Sequence, residues 1–157
     1  MTFKLDNLTE DYAKQICSWK YESKYSIYNF PAWNVIAKQH WAIAIETKRQ
    51  NEFSAITNEL GTLCGYIRLI NNNDCILVGL GLKPSLCGQG FGNDFMEILK
   101  NECKRRYNNN NKIVLEVRSF NKRAINCYKK AGFKIVGIYN KNTLIGYDEF
   151  VKMEFSY

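Results

Sequence analysis

An apolar run, CILVGLGL (75–82), leads into the glycine-spaced loop KPSLCGQGFG (83–92) and on into GNDFMEILKNECKRRY (92–107); a second apolar run, KIVLEV (112–117), follows. No other part of the chain restricts the fold as strongly. Short apolar runs bounded by turn signals read as buried strands. Within 92–107, Phe95, Met96, Leu99 and Cys103 fall on one helical face. Strand, helix and strand in that order predict a parallel pair joined by a right-handed crossover. KIVLEV is almost continuously apolar, which suits a central strand covered on both faces.

Other elements follow from local signals. FKLDNL near the start reads as a short strand, and TEDYAKQICSWK as a helix capped by Thr9, with Tyr12, Ile16 and Trp19 at helical spacing. YESKYSIYNFPAWNVIAKQHW is dense in aromatics and broken by Pro31, which predicts short helices around a loop. Residues 41–50 fit helix or strand equally. FSAIT and LCGYIRLI read as paired strands, and the asparagine-rich pieces at 71–74 and 108–111 as loops. NKRAINCYKKAG is a helix closed by Gly132. FKIVGIYN and EFVKMEFSY are final strands, the second with Val151, Met153, Phe155 and Tyr157 on one face. The expected class is mixed α/β, one domain over 1–157, around a mostly antiparallel twisted sheet with one parallel strand pair and flanking helices.

Several function classes drop out. No run of about 18 apolar residues is present, so no spanning helix is expected. The N-terminus MTFKLDNLTEDYAK carries acidic residues where a signal peptide would be basic and then apolar, so a cytoplasmic protein without a membrane partner is expected. The six cysteines form no C-x-x-C pair and mostly sit in apolar runs, which reads as reduced, buried thiols rather than zinc ligands or disulfides. With His40 as the one histidine, no histidine-rich metal site can form, and no metal is expected. The net charge of +7 is scattered. It fits an anionic partner or simply a solvated basic surface, and without a stacking motif nucleic acid is not favoured.

The glycines carry the functional signal. Gly79 and Gly81 leave one face of their strand bare, while Leu80 and Leu82 fill the other. Gly88, Gly90 and Gly92 then lead to a helix N-terminus, where backbone N–H groups and the helix dipole favour an anion. An extended ligand along the strand with phosphates on the loop fits this pattern; a tight strand-to-helix turn is the plainer alternative. A Walker A loop needs Lys and Ser/Thr after its last glycine, but Asn93 and Asp94 stand there. The spacing G-x-G-x-G also differs from a dinucleotide fingerprint.

LKPSLCGQGFG resembles the acyl-CoA loop of the GNAT superfamily of N-acyltransferases. Leu82, Pro84, Gly88, Gly90 and Gly92 fit that pattern, and Cys87 departs from it where the family has Arg or Gln. LEVRSFNKRAINCYKKAGF (115–133) is similar to the segment that follows, most of all in the subgroup that acetylates N-terminal alanine of ribosomal proteins. The resemblance implies a GNAT fold and acetyl-CoA as cosubstrate. It implies cofactor contacts from Leu80, Leu82, Cys87, Gly88, Gln89, Gly90, Phe91, Gly92 and Asn121, and catalytic roles for Glu116 and Tyr128. The expected reaction is direct acetyl transfer to a primary amine, on a small molecule or a protein. A catalytically idle acyl-CoA-binding module is the alternative, and a homodimer is compatible with either.

Read from the residues alone, Glu116 interrupts an apolar strand, where a buried carboxylate would have a raised pKa suited to a base. A structural pair with Arg118, two residues on, is the equal alternative. Tyr128 lies about two helical turns after Asn121. By resemblance Tyr128 protonates the leaving thiolate and Asn121 touches the pantetheine arm; alone they would read as a core aromatic and an N-cap. Cys87 precedes a helix N-terminus and is expected to be a reactive but non-catalytic thiol. Tyr21, Tyr25, Tyr28, Phe30 and Trp33 could wall the acceptor side or be ordinary core, and Asp148 and Glu149 could attract a cationic amine but read more readily as a solvated turn.

Overall fold

Thr9, two residues beyond the first strand, starts the first helix. Its hydroxyl accepts from the Tyr12 N–H at 3.2 Å, satisfying one of the donors a helix start leaves without an intrahelical partner. The computed structural model describes every residue, Met1–Tyr157. Its elements are β1 (Phe3–Asn7), α1 (Glu10–Ser18), α2 (Trp33–Lys38), α3 (Glu46–Glu52), β2 (Phe53–Asn58), β3 (Leu63–Asn72), β4 (Cys75–Leu82), α4 (Gly92–Arg106), β5 (Lys112–Arg118), α5 (Lys122–Lys130), β6 (Lys134–Thr143) and β7 (Gly146–Ser156). Short 3₁₀ turns cover Ser23–Tyr28, Ala42–Ala44 and Pro84–Leu86. The strands run in the order β1-β2-β3-β4-β5-β7-β6. β4 beside β5 is the parallel pair, with Ile76 opposite Ile113 and Leu77 opposite Val114, joined through α4.

The chain divides into two compact units, Met1–Arg68 with Leu80–Phe91, and Leu69–Gly79 with Gly92–Tyr157. In the first, Ile16, Ile36, Ala55 and Leu63 belong to one apolar cluster against which Tyr12, Phe30, Trp33 and Tyr66 pack. Ile36 is completely buried; such a side chain contributes roughly 1.5–3 kcal/mol relative to exposure. Phe30 and Trp33 are therefore core-flanking aromatics, and the Phe30 ring lies 5.9 Å from that of Trp41. In the second, α4 buries Phe95, Met96, Leu99 and Cys103, the face its periodicity predicts.

Three segments differ from expectation. Residues 41–50 resolve to a 3₁₀ turn and α3, fixed by buried Arg49, whose guanidinium donates to the Ile43 carbonyl at 3.1 Å. Asn71 and Asn72 belong to β3, and the turn is confined to Asn73 and Asp74. The last two strands are longer than the apolar pattern indicates. β6 continues through the polar NKNT, and Asp148 and Glu149 lie inside β7 rather than in a turn. Thr143 closes this hairpin. Its Oγ1 donates to the Gly146 carbonyl at 2.8 Å and accepts from the Ile145 N–H at 3.2 Å.

Candidate active site

The three loop glycines serve different ends. Gly88 and Gly90 have φ of +75° and +89°, a left-handed conformation that disfavours any Cβ. A Cβ on Gly90 would meet nothing within 4 Å, so the space beside it is open. Gly92 is helical; a Cβ there would lie 2.7 Å from the Cys127 sulfur on α5. The strand glycines also part ways. Gly79 faces open space, whereas a Cβ on Gly81 would strike the Tyr66 ring at 2.5 Å. The bare strand face expected from the sequence is thus open at Gly79 and filled by Tyr66 at Gly81.

Contacts within the first unit brace the loop. The Tyr21 hydroxyl donates to the Leu82 carbonyl at 2.6 Å, and the Lys83 N–H to the Cys64 carbonyl at 2.8 Å. Phe91 packs edge-on against Phe3 with centroids 5.4 Å apart, and the Gln89 amide turns back to the Ser85 carbonyl. Leu80 and Leu82 are half-buried, and Gly88, Gln89 and Gly90 are exposed. The Cys87 thiol points at the Leu82 and Lys83 carbonyls, at 3.9 and 3.7 Å. The exposed Gly88–Gly90 stretch has open space beside Gly90.

The second unit holds Glu116, Asn121 and Tyr128. Glu116 faces out of β5 where its neighbours Leu115 and Val117 are buried. Two residues away in either direction on the same face, Val114 and Arg118 are only 2% and 6% exposed, so the opening is local to Glu116. The Glu116 carboxylate accepts from the Tyr139 hydroxyl and from Lys141 Nζ at 3.0 Å. Partial burial pushes its pKa up, but these two hydrogen bonds and the charges of Lys141 and Lys152 outweigh it and hold the carboxyl below the usual range. The expectation of a raised Glu116 is thus reversed, because the face opens at Glu116 and hydrogen-bond donors and lysine charges surround the carboxylate there. Burial and the Glu116 carboxylate push the Tyr139 hydroxyl up to about 12.

The alternative pairing with Arg118 is also absent. Arg118, 6% exposed, donates to Asp148 at 2.7 Å and lies over the Phe150 ring, 4.9 Å from its centroid. Lys141 lies over the same ring at 4.6 Å. Asp148 is held below the usual carboxylate range, chiefly by the Arg118 hydrogen bond. Tyr139, Lys141 and Phe150 are the site residues that sequence reasoning missed. Tyr139 and Lys141 alternate on one strand, yet the apolar pattern ends before Lys141.

Asn121 caps α5, its side-chain oxygen accepting from the Ala124 N–H at 3.1 Å. Tyr128 is half-buried near the end of α5, its ring 6.2 Å from that of Phe133. Gly132 follows with φ of +97°, the left-handed helix stop expected.

A profile of the acetyltransferase (GNAT) family matches residues 13–133, more than half of the chain. The chain belongs to the GNAT acetyltransferase family. Structural similarity extends to the whole GNAT fold. The Escherichia coli ribosomal-protein-S18-alanine N-acetyltransferase aligns with a TM-score of 0.69 at 20% identity, over 99% of this chain and 94% of that one. The Vibrio cholerae spermidine N-acetyltransferase, in complex with CoA and spermine, aligns with a TM-score of 0.66 at 19% identity, over 98% and 95%. No curated protein matches this acetyltransferase by sequence. No helix is long and apolar enough to cross a membrane.

Proposed function

We propose that residues 1–157 act as one acetyl-CoA-dependent N-acetyltransferase domain that transfers the acetyl group directly to a primary amine. The observation that carries this is the loop of Cys87–Gly92: left-handed Gly88 and Gly90, with open space beside Gly90, running into the start of α4. Backbone donors there suit the pyrophosphate of CoA. Leu80, Leu82 and Asn121 would contact the rest of the cofactor. Acetyl-CoA supplies the activated acetyl group as a thioester.

The acceptor ammonium must first lose a proton. For a lysine-type amine at neutral pH this costs roughly 4–5 kcal/mol, and for an α-amine about 1. Glu116, held charged, takes that proton directly or through water. The neutral nitrogen attacks the thioester carbonyl, the C–N bond forms and the C–S bond breaks. Tyr128 donates its hydroxyl proton to the departing thiolate and is reprotonated from the nitrogen. The similar proteins named above are N-acetyltransferases of ribosomal-protein-S18 alanine and of spermidine, and both substrates present amine nitrogens. Occupation of Glu116 by Lys141 is the one feature that favours an idle acyl-CoA-binding module instead.

Calorimetry tests the binding half. CoA should bind the wild type, and Gly90→Val should abolish binding by filling the space beside the loop. An amine panel followed by thiol release tests the transfer half. No CoA binding to the wild type would sink the whole reading; binding without turnover of any amine would favour the idle module.

A further inference from the structure

A lysine amine already sits on the candidate base. Lys141 Nζ is 3.0 Å from Glu116 Oε1, and the same ammonium lies 4.6 Å from the centroid of the Phe150 ring. A carboxylate on one side and an aromatic face on the other make a cradle for an alkylammonium. The other basic side chains around Glu116 are placed differently. Arg118 is buried and committed to Asp148 at 2.7 Å, and Lys152, the register partner of Glu116 across β5 and β7, acts on Glu116 only through its charge. The Tyr139 hydroxyl fills the second Glu116 oxygen and so fixes the carboxylate's orientation toward Lys141. The Lys141 side chain remains 38% exposed, open enough to receive a group.

We propose that Lys141 is an acceptor built into the chain: the enzyme acetylates its own Lys141 from acetyl-CoA, within one molecule. This rests on the reading of Glu116 as base and Tyr128 as acid. The balance is that of the external reaction. One ammonium proton passes to Glu116, the Lys141 nitrogen bonds to the acetyl carbon, and the C–S bond breaks. The second nitrogen proton is returned through Tyr128 to the thiolate. The products are Nε-acetyl-Lys141, free CoA and one released proton. Acetylation removes the ammonium from Glu116, so an unmodified chain carries a tethered competitor for the external amine and a modified one does not.

The test incubates the full chain with acetyl-CoA and no other amine, and maps acetyl groups by peptide mass spectrometry. Exposed Lys129 on α5 serves as the internal reference for uncatalysed acetylation. Acetyl-Lys141 should form at a rate independent of protein concentration, at least about tenfold faster than acetyl-Lys129, and that excess should vanish in Glu116→Gln and Tyr128→Phe. Lys141→Arg should bind CoA with unchanged affinity by calorimetry and lose the fast site. A readout independent of turnover is the ¹³C carboxyl titration of Glu116, which should move upward in Lys141→Gln. Acetylation of Lys141 no faster than that of Lys129, while an external amine is turned over, would overturn this proposal and leave the proposed function standing. A rate that grows with protein concentration would overturn it in favour of transfer between molecules. Absence of CoA binding would overturn both.

Discussion

At the scale of single residues, Tyr128 and Glu116 separate two questions that a loss of activity alone would merge. Tyr128→Phe removes only a hydroxyl from a ring packed beside Phe133. It should lower kcat by about 10²-fold or more while CoA affinity by calorimetry stays unchanged, since only leaving-group protonation is lost. Glu116 answers to pH. Its carboxyl is held low in the folded chain, so the charged form persists to lower pH than in an unperturbed glutamate. The same sign governs stability. The benefit of its bonds to Tyr139 and Lys141 is present above the unfolded pKa and disappears as pH falls through the folded one. Tyr139→Phe deletes one of the bonds that lower it. The acidic limb of the kcat/KM profile should therefore move to higher pH in that variant, and an unmoved limb would remove Glu116 from the titration. The sequence made the residue legible as a carboxylate in an apolar strand, but not its environment. An apolar run predicts cover on both faces, and here the cover opens at Glu116, between buried Val114 and buried Arg118.

At the scale of elements, the two helices of the second unit meet because Gly92 has no side chain. A Cβ there would lie 2.7 Å from the Cys127 sulfur, closer than real contacts allow, so Gly92→Ala must push α4 and α5 apart or twist Cys127. Overpacking of this kind costs about 1–3 kcal/mol. Adding Cys127→Ala removes the obstructing sulfur and should restore most of the lost stability in thermal unfolding, a strong coupling between neighbouring sites. Gly90→Ala is the contrast. Its φ of +89° sets the cost and nothing crowds the position, so Cys127→Ala should not rescue it. The glycine spacing in the sequence announced a loop feeding a helix. It could not say that one glycine serves packing and the other two serve backbone conformation, because that distinction depends on α5, some 35 residues away in the chain (Gly92 to Cys127). The elements with apolar periodicity, α4 and β5 among them, were legible. β6 was read short because its outer half is held by turn chemistry at Thr143 and Gly146 rather than by an apolar pattern.

At the scale of the whole molecule, the net charge of +7 acts on any anionic ligand before contact. CoA carries several phosphate charges, and a basic protein accelerates the encounter with such a ligand through its long-range field. That field is screened over about 10 Å at 0.1 M salt and about 3 Å at 1 M, whereas hydrogen bonds made to the loop backbone after docking are short-ranged. The two contributions are therefore separable by kinetics. Raising the salt should slow CoA association in stopped-flow measurements and leave dissociation nearly unchanged. Gly90→Val should abolish binding at every ionic strength. If dissociation instead carried the salt dependence, screened side-chain charges would hold the phosphates. The departure at Cys87, where the family has Arg or Gln, would then have been compensated by lysines rather than by the backbone, and Lys83, directly before the loop's Pro84, is the first to replace with Ala.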